Sequence, residues 1–240
     1  MPSKIEKLEA HASHLLDAFI ALRERYALLE PMLFHEAVPR LRGSHKQARG
    51  FKILRHSLFL STCQDIAKLS LDADPRTPSI RNLVLGLEDP VARHDLRERF
   101  SNWHAPLIEE ETDPQIIEAL RQMDLRETAE NRSRFDQTYA ETLVKYADLS
   151  ASSAVEACRT VRDKVSAHTE VRYVADKYKL VDIADLGMKW GDLRTTIDQM
   201  QTLVANLGLL IRNAGFAWEM LDDQLHRASA GFWLPDTADA

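Results

Sequence analysis

The sequence is poor in residues that break, staple or loosen a chain. Only 8 Gly and 9 Pro occur in 240 residues, which excludes collagen-like and Pro/Gly-rich disordered classes. Two cysteines, Cys63 and Cys158, stand alone with no CxxC spacing. A disulfide framework, a zinc ribbon and a redox dithiol are therefore excluded, and both read as buried, reduced thiols. Long apolar runs are missing as well. The opening MPSKIEKLEAHASHLL places acids where a signal peptide needs an unbroken apolar stretch, and no segment suits a bilayer span. A cytoplasmic protein with no membrane partner is the expectation. Walker, GxGxxG, HExxH, GxSxG and EF-hand patterns are absent, which removes the common NTPase, dehydrogenase, zincin, hydrolase and calcium-binding readings. His11 and His14 near Glu9, and His94 and His104 in an acid-rich stretch, lack convincing ligand geometry, so no metal and no cofactor is expected.

What is present is apolar residue in helical rhythm. Hydrophobic residues make up 45% and charged residues 28% of the chain, enough to build a sizeable core. Ile5, Leu8, Ala12, Leu15, Phe19, Leu22, Tyr26 and Leu29 alternate three and four apart, which predicts one long helix with a single buried seam. Ser3 and Glu6 form a capping box before it, and Pro31 and Pro39 bound its end. A second helix is predicted over about 44–71, with Phe51, Leu54, Leu58, Ile66 and Leu69 inward. Thr77-Pro78, Asp89-Pro90 and Asp113-Pro114 each read as an N-cap followed by proline at the first helical position. The last pair opens a segment reaching about Ala147. Ser153 with Glu156 predicts another capping box, before a helix presenting Ala154, Cys158, Val161, Val165 and His168. Finally, Leu193, Ile197, Met200, Val204, Leu207, Ile211, Ala214, Trp218, Leu221 and Leu225 predict one unbroken final helix. Val171 to Val181 is too short and polar to support a sheet alone. The fold class is all-α, an antiparallel helical bundle forming one domain over residues 1–240. Helices within 1–110 pack on a core of 111–230, and 231–240 form a loose tail.

Charge is polarised along the chain. The net charge is −6, yet the stretch from Ala37 to Gln64 contains no acid and carries Arg40, Arg42, Lys46, Arg49, Lys52 and Arg55. From Glu88 to Glu130 there are twelve acids against five Arg. Arg42, Lys46 and Arg49 lie near one stripe and are candidates for guiding RNA. A solvated face, or pairing with the acidic stretch within or between chains, explains the same pattern.

The densest chemistry lies in RTVRDKVSAH, Arg159 to His168. Arg162 and His168 are six apart, so on an α-helix they differ by about 120° around the axis and about 9 Å along it. They do not share a face, and His168 falls on the apolar seam while Arg162 flanks it. A packing role, with His168 buried and Arg162 paired to a carboxylate, fits this spacing too. A second copy of the same helix could bring both groups into one groove.

RDKVSAH resembles the signature of the HEPN superfamily, an Arg, four to six residues and a His, with Asn, Asp or His often following the Arg. Arg162, Asp163 and His168 match it in turn. FKILRHSLFLSTCQDIAKL, DPRTPSIRNLVLGL and the helix beginning KWGDL are similar to the abortive-infection U-like (AbiU-like) branch, and the likeness spans about Phe51 to Arg212. The resemblance implies a helical bundle that dimerises so that two motifs line one cleft and cut RNA without metal. His168 would move protons at the ribose 2′-OH or the leaving oxygen. Arg162 would hold the phosphate. Asp163 would orient a partner group, while Arg159 and Lys164 would touch the backbone. Such a protein belongs to the prokaryotic toxin–antitoxin or phage-defence type, with an RNA substrate, a homodimeric state and an antitoxin protein as partner. Some toxins of this kind carry a Tyr two residues after the His. Here Glu170 stands in its place, which puts control by tyrosine nucleotidylation in doubt despite nearby Tyr173 and Tyr178. A catalytically inactive HEPN-like module that binds RNA or a protein partner is the alternative.

Overall fold

The computed structural model describes residues 3–104, 111–166, 171–174, 177–180 and 186–234. Helix α1 (Lys4–Phe34) begins with the expected capping box. The Ser3 hydroxyl accepts the Glu6 N–H at 3.1 Å, and the Glu6 carboxylate takes the Ser3 N–H at 2.6 Å. Leu8, Ala12, Leu15, Phe19, Leu22, Tyr26, Leu29 and Met32 form its buried seam. Pro31 does not end the helix, which continues through it to Phe34.

A short helix α2 (Ala37–Arg42) and a 3₁₀ turn (His45–Gln47) lead into α3 (Ala48–Leu71). The basic stretch is thus split among three pieces and does not form one helical stripe. Phe51, Ile66 and Leu69 are buried as expected, but Leu54 is exposed. Helix α4 (Ile80–Leu87) is capped by Ser79 and not by Thr77; the Ser79 hydroxyl accepts the Asn82 N–H. Helix α5 (Pro90–Ser101) follows Asp89 and α6 (Pro114–Ser150) follows Asp113, each with Pro at the first helical position. Helix α7 (Ser153–Thr160) runs into a π-helical turn (Val161–Ser166). Next, β1 (Val171–Val174) pairs antiparallel with β2 (Lys177–Leu180), Tyr173 opposite Tyr178. The polar segment does form a hairpin, but among the described residues it joins no larger sheet.

The predicted final helix is two. Helix α8 (Trp190–Arg212) ends where Asn213 turns left-handed (φ 50°), its N–H reaching the Leu209 carbonyl at 3.0 Å. Asn tolerates that conformation better than other side-chain-bearing residues. Helix α9 (Trp218–Trp233) then starts afresh, with Trp218 edge-on to Phe19 at 5.7 Å. The five-residue connection keeps the apolar rhythm in phase, which is why the pattern reads as continuous. The far end of α9 is fixed as well. The Trp233 indole donates to the Leu28 carbonyl at 2.9 Å, and Trp233 packs with Met32, Val38 and Phe51.

The class is therefore all-α. Residues of α1, α3, α4, α5, α6, α7 and α8 share one apolar core. Two acids of the acidic stretch pair with cations outside it, Asp89 with Lys4 and Glu98 with Arg132, while its own Arg97 and Arg99 reach Asp136 and Glu9. No helix among the described residues is long and apolar enough to cross a membrane.

Replacing Trp233 with Ala is expected to cost about 3–5 kcal/mol, the range for deleting a large buried aromatic. Urea unfolding followed by circular dichroism measures it. Unfolding at unchanged urea would show that α9 is not pinned here.

Candidate active site

Helix α7 owes its start to Ser152, whose hydroxyl accepts the Ala154 N–H at 3.2 Å. Glu156 makes no capping box; it pairs with Arg159 at 2.9 Å. Val155, Cys158 and Val161 are fully buried, so this short helix is held by packing against α3 rather than by its own length. The contact centres on sulfur. The Cys63 thiol of α3 meets Cys158 of α7, and Cys158 lies 3.9 Å from the Met188 sulfur. The two cysteines, isolated in sequence, are neighbours in space. Contact with Cys158, together with burial, pushes the Cys63 thiol far above the ordinary thiol range, which keeps it protonated and inert.

The predicted α-helical geometry fails at the motif itself. From Val161 to Ser166 the backbone is π-helical, with hydrogen bonds reaching one residue further than in an α-helix. The wider turn changes how successive residues fan out between Val161 and Ser166. Arg162 is half-buried, and its Nε donates to the Asp163 carboxylate at 2.7 Å. Val165 packs against the core while Arg162, Asp163 and Lys164 stay partly accessible. His168 and Glu170 lie outside the described residues. The turn is bracketed by α3 on both sides in sequence, since Phe59 of α3 also stands edge-on to Trp190 at 5.2 Å, where α8 begins.

The other basic candidates lie elsewhere, Arg42 at the end of α2, Lys46 in the 3₁₀ turn and Arg49 in the first turn of α3. Arg42 is half-buried, with Nε donating to the Trp233 carbonyl at 3.4 Å. It lines a groove with Lys46. Lys46, Arg49 and Lys52 are exposed and carry no ion pair among the described residues, whereas Arg40 pairs with Glu36. The sequence reading missed Phe232 beside this groove, because the residue was assigned to the tail. Among the described residues no group of three or more His, Cys, Asp or Glu is placed to hold a metal.

The model of the family described as AbiU2, within HEPN, matches residues 5–232, beyond both ends of the segments that carry the motif likeness. Comparison with curated proteins and with solved structures finds no match.

Two substitutions separate packing from surface charge in this site. Cys63→Ser places a hydroxyl among sulfur and hydrocarbon and is expected to cost about 1–3 kcal/mol. Asp163→Ala breaks a partly exposed pair and is expected to cost less than about 1 kcal/mol. Chemical denaturation of both variants checks the order, and the reverse order would mean that the motif turn is not anchored through α3.

Proposed function

Because the chain belongs to the AbiU2 branch of HEPN proteins and is thus of the HEPN abortive-infection type, we propose that it is a metal-independent endoribonuclease of the prokaryotic toxin or phage-defence class. It acts in the cytoplasm as a homodimer, and an antitoxin protein restrains it. The observation that carries this reading is the family match across the chain combined with the placement of Arg162. The guanidinium sits on a partly accessible turn and is oriented by a carboxylate.

In the proposed reaction the ribose 2′-oxygen attacks the adjacent phosphorus and the bond to the 5′-oxygen breaks. Products are a 2′,3′-cyclic phosphate and a 5′-hydroxyl. One imidazole accepts the 2′-OH proton and another donates a proton to the leaving oxygen, each worth on the order of 10²–10⁴ in rate. His168 supplies one of these in each subunit of the dimer. Arg162 spans the phosphate oxygens through its forked N–H groups and offsets charge that builds at phosphorus. Asp163, engaged with the Nε of Arg162, leaves the terminal guanidinium nitrogens to face substrate. Arg159 and Lys164 contact neighbouring phosphates.

His168→Ala and Arg162→Ala are each expected to lower RNA cleavage in EDTA at neutral pH by at least ~10²-fold. Both should abolish growth arrest on expression, with circular dichroism unchanged. Cleavage at the wild-type rate in either variant overturns the site, and wild-type protein that leaves RNA intact overturns the enzyme reading in favour of a binding module. A strict monomer by light scattering removes the composite cleft.

A further inference from the structure

The groove between the start of α3 and the end of α9 has a volume of about 490 Å³, in the range of small-molecule sites. Its walls are unlike its rim. Phe51, Leu54 and Phe232 supply apolar surface, while Arg42 and Lys46 supply positive charge. Both cations belong to a stretch from Ala37 to Gln64 that contains no acid.

Phe232 is 57% exposed although its neighbour Trp233 is 4% exposed. It is not a frayed residue. Trp233 is tied to Leu28 and Arg42 by hydrogen bonds and to Phe51 by an edge contact at 6.0 Å, and Phe232 stands edge-on to Trp233 at 4.8 Å. The ring is thus held out at the groove by a rigid anchor. Gly50 leaves the groove open: a Cβ there would meet nothing within 4 Å, so internal packing does not require glycine at this place.

We propose that this groove is a subsite for single-stranded RNA, in which a base stacks on Phe232 above the apolar floor and the flanking phosphates meet Lys46 and Arg42 at its rim. The choice of RNA rests on the ribonuclease reading; the site itself rests on the groove. A fixed, exposed aromatic beside Lys46, a cation with no ion pair among the described residues, is the combination that single-stranded nucleic acid uses, because every base has a stacking face and every linkage a negative charge. Lysine is depleted at protein–protein interfaces, which favours a nucleic acid over an acidic helix of another protein. The motif turn and the groove share α3 as scaffold, so a strand bound in the groove is held by the same rigid element that positions Arg162.

The test uses the full-length protein and a labelled, 2′-O-methylated single-stranded oligoribonucleotide, which lacks the attacking hydroxyl and cannot be cut. Fluorescence anisotropy is expected to show Phe232→Ala weakening binding by about 5- to 150-fold, with Phe232→Trp retaining it. Gly50→Leu fills the groove from an exposed helical position and should weaken binding without loss of fold. Lys46→Ala should reduce the slope of log affinity against log salt by about 0.7, the value for one phosphate contact. Wild-type affinity in both Phe232→Ala and Gly50→Leu overturns the proposal. So does an equal dependence on Phe232 for a duplex probe. A fall in light-scattering mass with oligonucleotide binding unchanged also overturns it, reassigning the groove to a protein contact. Groove-dependent binding without RNA cleavage by the wild type would sink the ribonuclease reading alone. Cleavage that depends on His168 but not on Phe232 would sink the subsite alone.

Discussion

One apolar seam on α1 sets the position of most other elements. Leu8, Leu15, Phe19, Leu22, Leu29 and Met32 lie on a single face over the length of the helix, each nearly or wholly withdrawn from water. Burying such a side chain favours the folded state by about 1.5–3 kcal/mol, so the face must be covered along its entire length. Helices α3 and α8 flank it, and Arg25 of α1 pairs with Asp65 of α3 while Glu30 pairs with Arg194 of α8. Helix α4 crosses near its start, where Gly86 allows close approach; a Cβ there would lie 2.4 Å from a Leu8 methyl carbon. Helix α9 covers the remaining strip, with Ser229 donating to the Ala27 carbonyl at 2.6 Å. The directions of α3 and α8 follow from this seam, and the motif turn follows from α3.

Helix α3 consequently has two faces with different duties. Its Cys63 and Phe59 hold α7 and the start of α8, while its first turns form one wall of the basic groove. The separation of charge in the sequence has a structural counterpart. Asp89 and Glu98 of the acidic stretch pair with Lys4 and Arg132, whereas Lys46, Arg49 and Lys52 have no ion pair among the described residues. A net negative chain thus carries one stretch, Ala37 to Gln64, that holds cations and no acid.

Much of this architecture was legible from residue order because the governing terms are local or periodic. The seam of α1, the box at Ser3, and the Asp-Pro starts of α5 and α6 depend on side chains within a few positions of one another. Features set by long-range packing were not legible. The break at Asn213 is hidden because its connection preserves the apolar phase, and only the insertion of Trp218 against Phe19 reveals why the chain restarts. Leu54 reads as core from its spacing, yet it lines the open groove at the start of α3 and stays exposed. Thr77 and Ser153 each look like a cap beside the residue that is one, Ser79 and Ser152, because capping depends on a hydroxyl's angle to a particular N–H. At the candidate site, Arg162 and Asp163 were singled out in sequence, but their mutual hydrogen bond and the π-helical backbone were not, since neither leaves a periodic trace. Phe232 was missed because an aromatic near a terminus carries no signal until its neighbour is seen to be anchored.

The brevity of α7 bears on what the motif is. Its eight residues are fewer than the ~12–15 an isolated helix needs in water, and the turn that follows is a backbone form seldom stable alone. A peptide carrying only the signature would be coil, with the guanidinium and carboxylate roaming independently. The Arg–Asp arrangement is therefore not a property of the seven letters RDKVSAH. It belongs to the cysteine-lined contact beneath them, and transplanting the signature to another helix would carry the letters and leave the geometry behind.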